Sequence, residues 1–111
     1  MAKKARDEDR ERLRALIQEA TVDCYGETEE HMGLVTMVEE NVACPFRAKV
    51  IGEDVEVVEL RAPESGFGLD AVCRHKGKDY RIDVGSLEWP KKKPEGFEWI
   101  EAFQAWRATL G

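Results

Sequence analysis

The sequence predicts an α+β domain: a small, highly curved antiparallel sheet, a partly closed barrel, flanked by N-terminal helices and a C-terminal helix. Three observations predict it. Apolar residues keep helical spacing up to residue 42, the period drops from 3.6 to 2 at Phe46, and helical spacing returns at Phe97. At 111 residues and 42% hydrophobic, the chain can build one compact core and has no room for a second domain, so 1–111 is read as one unit.

Residues 1–6 are expected to be a flexible terminus. A first helix is predicted over 7–20, with Leu13, Leu16, Ile17 and Ala20 on one stripe and Arg10, Glu11 and Arg14 opposite. Glu8 and Arg12 form an i,i+4 pair, and acids crowd the first turn, where the helix dipole favours them. Gly26 stops this helix, and Thr28 is the expected N-cap of a second one over 29–42. Its inward stripe is His31, Leu34, Val35, Val38 and Val42. Glu39 and Glu40 sit against the dipole at its C-terminal end, a small mismatch that a bound cation would relieve. Pro45 closes the helical segment.

Four strands with short turns follow. Phe46, Ala48 and Val50 alternate with Arg47 and Lys49, and Gly52-Glu53-Asp54 turns the chain. Alternation resumes at Val55 and breaks at Val57-Val58, which predicts a bulge before Leu60. After the Pro63-Glu64-Ser65-Gly66 turn, Phe67, Leu69, Ala71 and Cys73 share a face. Lys76-Gly77-Lys78 closes a hairpin into Tyr80, Ile82 and Val84. A connector over 89–96 leads to a last helix over 97–110, whose Trp99, Phe103, Trp106 and Leu110 form an aromatic stripe suited to lidding an open sheet.

Charge and motif content exclude several classes of function. The net charge is −6, and it is uneven: residues 1–60 hold fifteen acids and eight bases, the remainder eight and nine. That balance argues against nucleic acid, because the one basic cluster, Lys91-Lys92-Lys93, lies between prolines as a solvated connector. No apolar stretch is long enough for a membrane span and no secretory signal is visible, so a cytoplasmic monomer is expected. Three cysteines without a CxxC read as reduced thiols, and Cys24, His31, Cys44 and His75 are too scattered for a zinc site. Phosphate-cradling loops, a GxSxG elbow, an HExxH and a matched nucleophile and base are all missing, so no enzyme is expected. No EF-hand loop occurs either.

The feature left over is a run of seven carboxylates over 19–40 with no Lys or Arg among them: Glu19, Asp23, Glu27, Glu29, Glu30, Glu39 and Glu40. Such a run is either a solvated face that keeps the protein in solution or a set of repelling charges that a cation would neutralise.

Several segments carry a family likeness. Val22-Asp23-Cys24-Tyr25-Gly26, Glu29, Met32-Gly33, Glu39-Glu40 and Pro45-Phe46-Arg47-Ala48-Lys49 come first, then Val84-Gly85-Ser86-Leu87-Glu88 and Ile100-Glu101-Ala102-Phe103-Gln104-Ala105-Trp106. In order and spacing, over about residues 20–110, the sequence resembles the bacterial calcium-binding protein family typified by the cyanobacterial calcium-binding protein CcbP. The resemblance implies an SH3-like sheet with flanking helices and Ca²⁺ binding, for buffering or sensing, through acidic surface without an EF-hand; a site assembled from separate carboxylates is expected to be weak. It carries over Asp23, Glu29, Glu39 and Glu40 as metal residues, and Glu27 and Glu30 join them by adjacency. These six are expected to converge on one edge and share the ion. The alternative is an SH3-like protein-interaction module with an unidentified protein partner and no specific metal site.

Overall fold

The computed structural model describes the backbone of residues 2–110 and the side chains of 7–110; of the segment 1–6 expected to be a flexible terminus, Met1 and the side chains of 2–6 fall outside what is described. The elements run α1 (Ala2–Thr21), α2 (Glu27–Asn41), β1 (Phe46–Val50), β2 (Glu53–Arg61), β3 (Asp70–His75), β4 (Lys78–Asp83), a 3₁₀ turn (Val84–Ser86) and α3 (Phe97–Ala108). The order of helices and strands is the one the periodicity predicts.

The sheet is not a partly closed barrel. Its strands lie in the order β1-β2-β3-β4, all antiparallel, and β1 and β4 remain opposite edges with no ladder between them. Four strands are too few to close around a filled interior, and here helices cover the inner face instead. The chain leaving β4 touches β1 only through the isolated bridge Lys49↔Glu88.

Both hairpins turn on two residues of positive φ, Ile51-Gly52 (50° and 76°) and Lys76-Gly77 (52° and 77°), whose twist suits antiparallel strands. The expected bulge is present as a register shift between Val57 and Glu59. The inner face buries Ala48, Val55, Val57, Leu60, Ala71 and Cys73. Onto it α2 packs His31, Leu34, Val35 and Val38, and α3 packs Trp99, Ile100, Phe103 and Trp106. The two helical stripes are therefore the predicted ones.

The helix starts differ from expectation. Helix α2 begins at Glu27 with Gly26 as its N-cap and no capping side chain, so Thr28 lies inside the first turn. Two glycines matter for helix packing. A Cβ at Gly33 would overlap the Ala20 carbonyl oxygen, so this glycine lets α1 cross close over α2. Gly96, at φ +82°, brings the start of α3 against the Asn41 carbonyl at the end of α2.

On the outer face the cross-strand register lines up Arg47, Glu56, Arg74 and Asp79 as a row of alternating charge over all four strands. Arg74 and Asp79 are joined at 2.9 Å. Beneath α3, Asp83 accepts two hydrogen bonds from Arg107 at 2.7 and 2.9 Å and one from the Gly85 amide at 2.7 Å. Arg107 is the chief cause that holds the Asp83 carboxyl below the ordinary value.

Candidate metal centre

Helix α2 carries five of the six predicted carboxylates, and its geometry decides which of them can meet. Glu29 and Glu40 are eleven residues apart, which at about 1.5 Å rise per residue places them roughly 16 Å apart along the axis. Glu30 and Glu39 are separated by about 14 Å on the same reckoning. The six residues therefore form two patches at opposite ends of α2 and do not converge on one ion. Among the described residues no group of three or more His, Cys, Asp or Glu side chains is gathered as a metal cage.

The N-terminal patch holds Asp23, Glu27, Glu29 and Glu30. Asp23 sits in the turn between α1 and α2 with φ +63°, a left-handed conformation that aspartate tolerates better than most residues. Glu27, Glu29 and Glu30 occupy the first turn of α2, where the exposed amides favour negative charge. Two of these carboxylates already have structural work. Glu29 accepts a hydrogen bond from the Tyr25 amide at 3.2 Å, which folds the turn back on the helix. Glu30 accepts from the Trp106 indole at 3.0 Å, which ties α2 to α3. Beside this bond the buried His31 ring stacks on Trp106 and its Nε2 lies 2.7 Å from the Gly68 carbonyl oxygen.

Cys24 lies in the same turn, its thiol 3.5 Å from the Glu29 backbone carbonyl oxygen. Burial, followed by the charges of Glu29, Glu30 and Asp23, pushes Cys24 above its ordinary value. Cys44 is raised in the same way by burial and by Glu59. The donors that the patch itself supplies are hard carboxylate oxygens. That chemistry fits Ca²⁺, which takes six to eight oxygens in flexible geometry, and does not fit a soft metal.

The C-terminal patch holds Glu39 and Glu40, both exposed, with no basic residue in the last turn of α2. Glu39 lies on a surface cleft of about 390 Å³ between α2 and β2, and Glu59 lines the opposite wall beside Cys44. Glu59 escaped the sequence reading. The bulge at Val57-Val58 was visible, but only the docking of β2 against α2 shows that it carries Glu59 toward Glu39.

No helix among the described residues is long and apolar enough to cross a membrane. Comparison with known proteins completes the picture. A family model of the CcbP type, described as calcium binding, matches residues 14–107. Among solved structures the chain is similar to the crystal structure of Anabaena CcbP, with 20% identity, a TM-score of 0.74, and coverage of 88% of this chain and 90% of that one. At that identity the likeness shows a shared fold. No curated protein matches the chain. The family match spans most of the sequence, and the chain belongs to the CcbP family of calcium-binding proteins.

Proposed function

We propose that this family member binds Ca²⁺ weakly at two separate carboxylate patches, one at each end of α2, and serves as a calcium buffer. The first patch is Asp23, Glu27, Glu29 and Glu30; the second is Glu39 and Glu40. Membership of the family supplies the ion. The observation that carries the site is the placement of Glu39 and Glu40 at the negative end of a helix with no basic residue in its last turn. That arrangement is unfavourable for the empty protein and is relieved by a cation. The carboxylates of neither patch are gathered into a cage, so water fills much of each Ca²⁺ shell and the affinity is low, on the order of 10⁻⁴ to 10⁻³ M. Three free thiols suit a reducing, cytoplasmic setting.

The test is a ¹H–¹⁵N titration with Ca²⁺, repeated with Mg²⁺ and with K⁺ at matched ionic strength. Saturating shifts with Ca²⁺ alone are expected in two groups, around residues 23–30 and around 38–41. The double change Glu39→Gln with Glu40→Gln should erase the second group and leave the first. Small shifts spread over the whole chain, reproduced by Mg²⁺ or K⁺, would reduce the effect to screening and end the assignment of these residues.

A further inference from the structure

We propose that the chain associates with a second copy of itself through β4, forming a continuous eight-stranded sheet about a two-fold axis at Tyr80. The two edges of the sheet are treated differently. The β1 edge is partly occupied by the connector, with Lys49 and Glu88 exchanging backbone hydrogen bonds at 2.9 and 2.7 Å. Among the described residues the β4 edge has no such cover, and Lys78, Asp79, Tyr80 and Arg81 are all exposed.

The hydrogen-bonding phase of β4 is fixed by its hairpin. His75 and Lys78 close a two-residue turn, and Val84 donates to the Leu69 carbonyl at 2.9 Å, so the even-numbered residues bond to β3. The amides and carbonyls of Asp79, Arg81 and Asp83 consequently point away from the sheet. An antiparallel partner strand needs donors and acceptors at just these alternate positions.

Charge selects one register. Charged residues on an edge strand usually discourage pairing. With Tyr80 opposite Tyr80, however, Asp79 of each copy faces Arg81 of the other, whose guanidinium also meets Asp70 and the Ala62 carbonyl of its own chain at 3.1 Å, and both are residues with outward-pointing backbone groups. The alternating row Arg47, Glu56, Arg74, Asp79 then continues into Arg81 of the second copy without a like-charge contact. Centring the pair on Arg81 instead opposes Arg81 to Arg81 and Asp79 to Asp83. Centring it on Ile82 runs past the end of β4.

The inner face agrees. Beyond the reach of α2 and α3, the end of the sheet leaves an open, mostly apolar hollow of about 400 Å³ lined by Val50, Ile51, Val55, Cys73, Tyr80 and Ile82, with Glu53 and His75 also in its wall. Tyr80 is 48% exposed and Ile51 91% exposed. Tyr80 occupies a non-hydrogen-bonded position, the closer type of cross-strand pair, so the two rings meet at the axis and join the two hollows. A strand of six residues, about 20 Å long, makes a small interface, and the dimer is accordingly a weak one.

The experiment is sedimentation velocity on the full chain from micromolar to millimolar concentration, with and without Ca²⁺. The 12.6 kDa species should give way to one of about twice that mass as concentration rises. Tyr80→Lys, which places two ammonium groups at the axis, should abolish the heavier species while the far-UV spectrum is unchanged. In a Cys24→Ser, Cys44→Ser, Cys73→Ala background, which removes the thiol directly across from position 80, Tyr80→Cys should form a disulfide-linked dimer under mild oxidation, whereas Ile82→Cys should not. A single light species over the whole range, or crosslinking through Ile82→Cys in place of Tyr80→Cys, would overturn the proposal.

Discussion

Replacing Glu39 and Glu40 together by glutamine should make the protein more stable without calcium and less stable with it. Both residues lie in the last turn of α2, which has no basic residue there. An exposed carboxylate against the helix dipole costs about 0.3–1 kcal/mol at low ionic strength, so removing two gives a gain of roughly 1 kcal/mol. Calcium acts in the opposite direction. At about 10 mM free Ca²⁺ and a dissociation constant of 10⁻⁴ to 10⁻³ M, a site stabilises the folded state by roughly 1.4–2.7 kcal/mol. The C-terminal patch contributes this to the native protein and not to the variant, so the order of stability inverts. Urea denaturation in about 10 mM buffer, alone, with Ca²⁺, and with K⁺ at equal ionic strength, measures all the terms. Screening by K⁺ should bring the two proteins together without crossing them. A variant no more stable than the native chain in the absence of calcium would refute the dipole argument. Convergence under Ca²⁺ no greater than under K⁺ would refute the site.

Two other outcomes follow from the fold. Gly66 and Gly96 share a φ of about +80°, but a Cβ at Gly66 meets nothing whereas one at Gly96 overlaps the Asn41 carbonyl oxygen. Gly66→Ala should therefore cost about 1–2 kcal/mol and Gly96→Ala about 2–5 kcal/mol in urea denaturation, and equal losses would show that the α2–α3 contact yields freely. Asp83→Asn should cost about 1 kcal/mol at neutral pH, a value kept low because both partners of its ion pair are partly solvated. Because the folded state holds the Asp83 carboxyl below its ordinary 3.8, that stability is present above this pH and is lost as the pH falls through the lower folded value. The gap between native protein and variant should be constant from pH 5 to 7 and close below about pH 4; a gap that persists at pH 2 would mean that the carboxylate charge is not its source.

Much of the fold was legible because periodicity reports burial directly. The stripe His31, Leu34, Val35, Val38 and the stripe Trp99, Phe103, Trp106 were visible as spacing and are buried as spacing requires. The bulge at Val57-Val58 was visible as a break in alternation. Closure of the sheet was not, because a run of alternating residues shows that one face is covered and not what covers it. Here helices α2 and α3 cover it, and β1 and β4 have no need to meet. Tyr80 shows the same limit from the other side: its phase marks an inward face, yet no helix reaches that end of the sheet, and it stays exposed.

The division of the carboxylates has a different origin. That a helix holding both Glu29 and Glu40 must separate them by about 16 Å was already implied by its pitch. Convergence would have required the chain to fold back within 29–42, and Tyr25-Gly26, the one turn near the acidic run, lies before the helix begins. The separation also bears on which calcium role the protein can fill. At physiological ionic strength the Debye length is about 8 Å, half the distance between the patches. An ion at the proposed Asp23–Glu30 site would therefore scarcely be felt at Glu39–Glu40, and the two proposed sites would fill independently. Switching needs sites that act together on one bistable element, whereas independent weak sites take up ions in proportion to supply. Helix α2 is pinned at its first turn by the Glu30–Trp106 bond and at its end by the Asn41–Gly96 contact, which leaves little for bound calcium to move. Both features favour graded buffering over a conformational signal.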